Sequence, residues 1–154
     1  DGAAVAGVIF MPALREVVYA ANGSGAWCAT DIGPGAALET RRARVSTVGR
    51  VAEGTVSATS ARHFEPSAFE RITRAGVLAR GWGDCYGHYL VATGRIDAMI
   101  DPLMSVWDCA PLLPIVTEAG VRFTSVAGDA TIHGASAVST NGLVHDEVLA
   151  LLQG

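Results

Sequence analysis

The sequence predicts a layered α/β fold, an α+β sandwich in which a mixed β-sheet is flanked by helices. Half of the 154 residues are apolar and only 17% are charged. This content exceeds what a sheet with one solvated face needs, so it favours strands that are covered on both faces. Strand patterns come first and are followed by alternating helices and strands, an order that is typical of a mixed sheet. At this length we expect one domain with one core.

The first part of the chain carries strand patterns. An apolar run ends at Pro12, and an extended pattern resumes before Asn22-Gly23-Ser24-Gly25, which predicts a hairpin and a tight turn. Asp1-Gly2 resembles a hairpin turn leading into the apolar run, so we expect the sequence to start inside a larger fold. The expected elements are strands at residues 5–10 and 16–21, a loop at 30–39, and short strands at 45–48 and 55–59.

The second part alternates between helix and strand patterns. Pro66 suits the first turn of a helix, and Gly76, Gly94 and Gly120 are typical helix stops. In the helix expected from Asp108, Leu112, Ile115, Val116 and Ala119 share one face. The expected elements are helices at residues 67–75, 84–93, 108–119 and 145–152, and strands at 77–82, 97–100, 121–125 and 137–139.

Charge and hydropathy argue against nucleic acid and membrane partners. The net charge is −4, and the eleven Lys and Arg are scattered apart from Arg41, Arg42 and Arg44, which is not the basic patch of a nucleic-acid-binding protein. No stretch approaches the eighteen apolar residues of a membrane span, and the N-terminus shows no basic leader. The glycine-rich phosphate fingerprints of nucleotide-binding folds are also missing from the sequence.

Cysteine and histidine positions favour a reducing compartment without a zinc site. Cys28, Cys85 and Cys109 form no C-x-x-C pair, so we expect small buried thiols and a cytoplasmic location. No general base can be assigned to Cys85, and no G-x-S-x-G turn supports a serine nucleophile. The four histidines are too dispersed for a zinc cluster, and they are His63, His88, His133 and His145.

Three aspartates stand at expected junctions between strands and helices. Asp84 and Asp108 each begin a helix, and Asp101 ends a strand before Pro102. A helix cap or a turn-initiating Asp explains each position taken alone. Because such junctions on one edge of an α/β sheet form the crevice where ligands bind, a shared acidic site for a cation or a cationic substrate is the alternative. Both interpretations stay open on these residues.

A longer pattern resembles the second signature of the inositol monophosphatase family. Trp107-Asp108 is followed by Ala110 and by residues 115–120, which read IVTEAG. The stretches WGDCYGHYLVATGRIDAMIDP and STNGLVHDEVL are similar to the histidinol-phosphatase branch of that family. The pattern departs at Pro111 and Val121, where the family has small residues. Pro111 is expected in the first helical turn, where a missing N–H is tolerated.

The resemblance implies magnesium-dependent hydrolysis of a phosphate monoester, with histidinol phosphate of histidine biosynthesis as the substrate. It implies Asp108 as a metal ligand, Asp101 as a substrate contact, and Asp84 and Cys85 as lining of the substrate pocket. It also implies the inositol monophosphatase and sugar phosphatase fold and a homodimer. Asp84 and Asp101 suit the ammonium and imidazole of histidinol phosphate better than a neutral polyol, and Asn141 is a further polar candidate.

The family's Asp-Pro-Ile-Asp-Gly-Thr segment, which supplies most metal ligands, lies upstream of the position of Asp1. We therefore expect residues 1–154 to form the C-terminal portion of the phosphatase domain, without its N-terminal metal-binding half and inactive alone. A phosphatase acting on inositol phosphate or another sugar phosphate is one alternative. A non-catalytic ligand-binding or protein-binding module is the other, and it predicts no exposed apolar edge at residues 5–10.

Overall fold

The computed structural model describes residues 2–35, 37–75 and 78–154 and contains two β-sheets. The first is a four-stranded antiparallel sheet in the order β1-β2-β3-β4. The expected hairpin is confirmed, but β3 and β4 were not predicted. Gly25 is both the end of the turn sequence and the first residue of β3, and β4 is a short, fully exposed strand. The strands are β1 (Ala6–Met11), β2 (Glu16–Ala21), β3 (Gly25–Ala29) and β4 (Thr40–Arg42).

The second sheet has five strands and is mixed, as the sequence predicts. Its order is β6-β5-β7-β9-β8. Strand β5 runs parallel to both β6 and β7, whereas β9 runs antiparallel to β7 and β8. The carboxyl ends of β5 and β7 therefore meet at one edge. The strands are β5 (Thr55–Ala58), β6 (Leu78–Arg80), β7 (Ala98–Asp101), β8 (Arg122–Thr124) and β9 (Ala137–Thr140).

Four α-helices in the described residues complete the layers. Helices α2 and α3 pack between the two sheets, and α1 and α4 cover the other face of the second sheet. Strand β7 shows why the composition is so apolar: Met99 faces the core around α2 and α3, whereas Ala98 and Ile100 face α1 and α4. The layered fold is thus confirmed. The helices are α1 (Pro66–Ala75), α2 (Asp84–Ala92), α3 (Val106–Ala119) and α4 (His145–Gln153).

Helix α3 has the predicted buried face and the predicted end, but not the predicted start. The four apolar residues of that face are buried, and Gly120 ends the helix in the left-handed conformation with φ 87°. The helix begins at Val106, which makes Asp108 its third residue and Pro111 its sixth. The expectation that Pro111 lies in the first turn was therefore wrong. Its missing N–H leaves the Trp107 carbonyl without the usual helical donor.

Residues 45–48 were predicted as a strand and are not one. The Val45 N–H donates to the Ala119 carbonyl at the end of α3, and the Val48 carbonyl accepts from the Asn141 side chain. Their backbone groups are thus satisfied by a helix end and a side chain instead of a neighbouring strand. Asp1, Gly76 and Val77, which carried the predicted turn, helix stop and strand start, lie outside the described residues.

Glu118, which belongs to the IVTEAG sequence at residues 115–120, stabilises the turn between β2 and β3. Its two carboxylate oxygens accept hydrogen bonds from the backbone N–H groups of Gly23 (2.7 Å) and Gly25 (2.6 Å). This carboxylate therefore fixes the C-terminal end of α3 against the first sheet. Within the described parts of the chain, no helix combines the length and hydropathy needed to cross a bilayer.

Candidate active site

The four residues singled out in the sequence line one open cleft of about 690 Å³. Asp101 ends β7, Asp84 and Cys85 begin α2, and Asp108 lies in the first turn of α3. The fold brings these chain segments together because α2 and α3 both start near the carboxyl end of β7. The predicted convergence of the three aspartates is therefore what the structure shows.

Asp101 is the buried member of the acidic set. Its side chain is only 4% exposed, and its Oδ2 accepts a hydrogen bond from the Thr59 hydroxyl at 2.8 Å. Burial raises the pKa of Asp101, the Thr59 hydrogen bond and the Leu103 N–H oppose that rise, and the Asp84 carboxylate adds to it. A positive group entering the cleft offsets the burial of this charge.

Asp84 and Cys85 lie at the mouth of the cleft and are both exposed. Asp84 has a left-handed backbone with φ 55°, which a residue with a Cβ rarely adopts. Cys85 was expected to be a buried thiol, and that expectation was wrong, whereas Cys28 and Cys109 are buried. Partial desolvation and the Asp84 carboxylate raise the pKa of Cys85. Its thiol stays protonated near neutral pH and is not an activated nucleophile.

Asp108 combines a capping interaction with exposure to the cleft. It is not the N-cap residue, since Ser105 occupies that position, but its Oδ2 accepts the Ser105 backbone N–H at 3.2 Å. This places the carboxylate in the first turn, where the helix dipole favours negative charge. Burial, with smaller contributions from Asp108 and Asp101, raises the pKa of the adjacent Cys109 to about 11. The Asp108 carboxylate keeps lone pairs available to a cation in the cleft.

The described residues do not form a complete metal site. Among residues 2–35, 37–75 and 78–154, no three His, Cys, Asp or Glu side chains are grouped closely enough to hold one ion. The aspartates that line the cleft are the hard oxygen donors that Mg²⁺ prefers. The donor chemistry therefore suits Mg²⁺, but too few ligands are grouped among the described residues to hold the ion.

Sequence reasoning missed part of the lining. Thr59 and His63 follow β5, and the apolar rim consists of Val8, Phe10, Leu103 and Trp107. Their position after a predicted strand was visible in the sequence, but it is the structure that places the end of this strand beside β7 at the same sheet edge. Trp107 was noted only as part of a motif, although its side chain is 74% exposed beside the acidic groups.

The remaining polar candidates have structural roles. Asn141 was considered as a contact in the site, but its amide donates to Ser46 and to the Val48 carbonyl. His88 and His145 are completely buried, and His63 alone of the four histidines lines the cleft. The cleft thus presents three carboxylates, one imidazole and an apolar rim, which suits a small polar ligand with positive charge.

Comparisons with known proteins identify the family of the chain. The model of the inositol monophosphatase family matches residues 1–153. The histidinol-phosphatase of Mycobacterium tuberculosis is 41% identical over 156 residues, which cover 99% of this chain and 58% of that protein. The fructose-1,6-bisphosphatase/inositol-1-monophosphatase of Thermotoga maritima is 31% identical over 154 residues, which cover 99% of this chain and 56% of that protein.

A solved structure shows the same fold. The IMPase of Thermotoga maritima superposes with a TM-score of 0.83 at 29% identity, covering 99% of this chain and 57% of that one. This chain therefore spans between 56% and 58% of the length of these relatives. The family match over nearly the whole chain, the shared fold and the position of the motif residues lead to one conclusion: the chain belongs to the inositol monophosphatase family.

Proposed function

We propose that this chain is the C-terminal portion of a magnesium-dependent phosphate monoester hydrolase that acts on histidinol phosphate in histidine biosynthesis. The observation that carries the proposal is the convergence of Asp84, Asp101 and Asp108 in one cleft of a chain from this family. The proposed enzyme is cytoplasmic and homodimeric. Its substrates are small phosphate monoesters.

The charge of the cleft supports histidinol phosphate over a neutral polyol phosphate. Histidinol phosphate carries an ammonium and an imidazole besides its phosphate. Asp84 is exposed at the cleft mouth, and Asp101 is buried behind it. Two carboxylates in this arrangement offer charge-assisted hydrogen bonds to a cationic substrate. The name of the Mycobacterium tuberculosis relative points to the same substrate.

Asp108 is the metal ligand that we propose for this chain. A bound Mg²⁺ would supply neutralisation of the charge that develops on the leaving oxygen. Asp108 is suited to holding the ion because its backbone position is fixed in the first turn of α3 and its carboxylate is exposed to the cleft. The other ligands would come from the N-terminal half of the enzyme, since the described residues do not complete the set.

The edge of the first sheet supports the idea that a further half of the protein packs here. Strand β1 pairs with β2 on one side. Val5, Val8 and Phe10 on this edge are between 51% and 64% exposed, which is unusual for large apolar side chains on an edge strand. A non-catalytic module that is complete in itself predicts that these residues are covered, so this observation weighs against that alternative.

A phosphatase acting on inositol phosphate or another sugar phosphate is the second candidate. The Thermotoga maritima relative, named for fructose-1,6-bisphosphate and inositol 1-phosphate, favours it. Both candidate functions use Asp108 and the same cleft. They differ in the part of the substrate next to the phosphate, which is cationic in histidinol phosphate and a neutral polyol in inositol phosphate. Asp84 is the residue whose charge separates them.

Phosphate release by the full-length enzyme, with histidinol phosphate and with inositol 1-phosphate, tests this proposal. The wild-type protein is expected to prefer histidinol phosphate, and Asp84→Asn is expected to lower that preference on the order of tenfold, because the charge on one hydrogen-bonding group is lost while the left-handed backbone is tolerated. Asp129→Asn, which changes an exposed aspartate outside the cleft, is the matched control. An unchanged preference in Asp84→Asn would remove Asp84 from substrate selection.

A further inference from the structure

Thr59 connects two of the three segments that carry the acidic groups of the cleft. It follows directly after β5, and its backbone N–H lies 3.4 Å from the Ile100 carbonyl of the neighbouring parallel strand. This register places its side chain beside Asp101, the last residue of β7. The Thr59 hydroxyl donates to Asp101 Oδ2 at 2.8 Å. One oxygen of this buried carboxylate is thereby fixed by a side chain from another strand.

The methyl group of Thr59 faces a second acidic segment. A Cβ added to Gly83 would lie 3.2 Å from Thr59 Cγ2, so the Thr59 methyl occupies the space beside Gly83. Gly83 is the residue before Asp84, where the backbone turns into α2 through the left-handed conformation. The hydroxyl of Thr59 thus donates to Asp101, and its methyl lies beside the residue that precedes Asp84.

The carboxylate of Asp101 needs such a partner. The charged and titratable groups that face it are Asp84 at the start of α2, His63 after β5 and Cys109 in α3. Among the described residues, none of these three groups donates a hydrogen bond to Asp101 Oδ2, which accepts one from the Thr59 hydroxyl. A buried carboxylate without a donor would either take up a proton or rotate. The Thr59 hydroxyl opposes both changes as the side-chain donor to Asp101, and the Leu103 backbone N–H assists it.

We propose that Thr59 is a positioning residue for substrate binding: its hydroxyl holds Asp101 in the orientation that receives the cationic part of the substrate, and its methyl supports the turn that presents Asp84. This inference rests on the proposed function for the identity of the substrate. The link between Thr59 and Asp101 is independent of that function, so the two can be tested separately.

Two substitutions separate the hydroxyl from the methyl. Thr59→Val keeps the shape and removes the donor, whereas Thr59→Ser keeps the donor and removes the methyl. Carbon-13 carboxyl shifts of Asp101, measured against pH in the full-length enzyme, are expected to show a higher pKa in Thr59→Val than in the wild type, because the hydrogen bond to the ionised form is lost. Thr59→Ser is expected to titrate as the wild type does and to change the amide shifts of Gly83 and Asp84.

Kinetics of the full-length enzyme supply the second readout. Thr59→Val is expected to raise KM for histidinol phosphate roughly tenfold and to change kcat by less than about twofold, as expected for the loss of a charge-assisted hydrogen bond that orders a binding group. Thr59→Ser, which keeps the donor to Asp101 and loses only the methyl, is expected to raise KM less than Thr59→Val does. Thr73→Val, whose hydroxyl donates to the Glu70 carbonyl in α1, is the control for replacing any threonine by valine.

The outcomes separate the positioning role of Thr59 from the identity of the substrate. An unchanged Asp101 titration in Thr59→Val would overturn the positioning role, whatever the enzyme hydrolyses. An unchanged KM, or equal losses in Thr59→Val and Thr59→Ser, would also overturn it. If the wild-type enzyme hydrolyses another phosphate monoester instead of histidinol phosphate, the proposed substrate is wrong. The KM comparison is then made with that ester, and the titration stands as before.

Discussion

Gly7 of β1 lies directly against Pro111 of α3: a Cβ atom on Gly7 would fall 1.9 Å from the Pro111 carbonyl oxygen. This contact sets the distance between the first sheet and the helix that carries Asp108. Val8 and Phe10 follow Gly7 along the strand and form one wall of the cleft. The position of α3, which carries Asp108, relative to strand β1 therefore depends on one close backbone contact. Only glycine fits at residue 7 of this contact.

Gly7→Ala is expected to lower the free energy of unfolding by roughly 2–3 kcal/mol, because the new methyl overlaps a backbone carbonyl that cannot move aside as a side chain can. Chemical denaturation of the 154-residue chain measures this change. Gly49→Ala is the matched control, since an added Cβ there has no neighbour within 4 Å, and its effect is expected to stay within about 0.5 kcal/mol. Equal stability of the two variants would contradict the close contact.

Asp108→Asn is expected to lower both Mg²⁺ affinity and turnover of the full-length enzyme, turnover on the order of 100-fold. The amide keeps an oxygen to accept the Ser105 N–H, so the helix start is retained, but the charge that attracts the cation is lost. Magnesium titration of phosphate release is the measurement, and Asp129→Asn is the control for removing an exposed carboxylate elsewhere. Wild-type turnover in Asp108→Asn would remove Asp108 from the mechanism.

His88 and His145 are expected to make the fold sensitive to acid. Burial lowers the pKa of His88 to about 4, and burial together with the nearby Arg122 lowers the pKa of His145 to about 4, whereas Asp146 opposes that shift. The folded state therefore disfavours protonated imidazoles. Their contribution is fully present above the unfolded pKa of about 6.5 and is lost as pH falls from about 6.5 to about 4.

The pH dependence of the unfolding free energy measures this contribution. Between pH 6.5 and pH 4 the free energy of unfolding is expected to decrease. Replacing either buried histidine by Asn is expected to make this decrease smaller by roughly 2–3 kcal/mol. His88 is the sharper case, because its Nε2 is buried without a hydrogen-bond partner within the described structure. The exposed His133→Asn is the control. If the unfolding free energy of His88→Asn depends on pH as steeply as that of the wild type, His88 is not a neutral imidazole in the folded state.

Asp101→Asn is expected to stabilise the chain at pH 7 by about 0.5–1 kcal/mol while it weakens substrate binding. The pKa of Asp101 is raised by burial, so its ionised form is disfavoured in the folded state and removal of the charge relieves that cost.

Asp97→Asn is the matched contrast. Asp97 is also buried, but its two oxygens accept from the Thr55 N–H and the Ser46 hydroxyl, and we expect a loss of roughly 1–3 kcal/mol there. Thermal unfolding of both variants gives the comparison. Destabilisation by Asp101→Asn as large as that by Asp97→Asn would contradict the interpretation of Asp101 as a group held ready for a ligand.

Features that depend on neighbouring residues in the chain were predicted correctly from the sequence. The buried face of α3 followed from the spacing of four apolar residues, and its end followed from Gly120, which adopts the left-handed conformation there. The junction positions of Asp84 and Asp101 were also correct, because helix starts and strand ends have residue preferences that one sequence displays.

What could not be predicted depends on neighbours that are distant in the chain. The Thr59 hydroxyl reaches Asp101 because β5 and β7 are parallel neighbours, and the sequence does not state that pairing. Residues 45–48 have a strand-like composition, but the end of α3 provides their hydrogen-bond partner. Tertiary contacts decided both of these features.

Phosphate release from histidinol phosphate by the full-length enzyme, measured with Mg²⁺ beside the 154-residue chain of verified mass, tests the central claim most directly. The account predicts turnover by the full-length enzyme, a preference over inositol 1-phosphate, and no turnover by the 154-residue chain, whose described residues hold Asp108 but no complete metal site. Absence of turnover by the full-length enzyme with either ester would contradict the proposed activity. Turnover by the 154-residue chain alone would contradict the proposed division of the site between two halves.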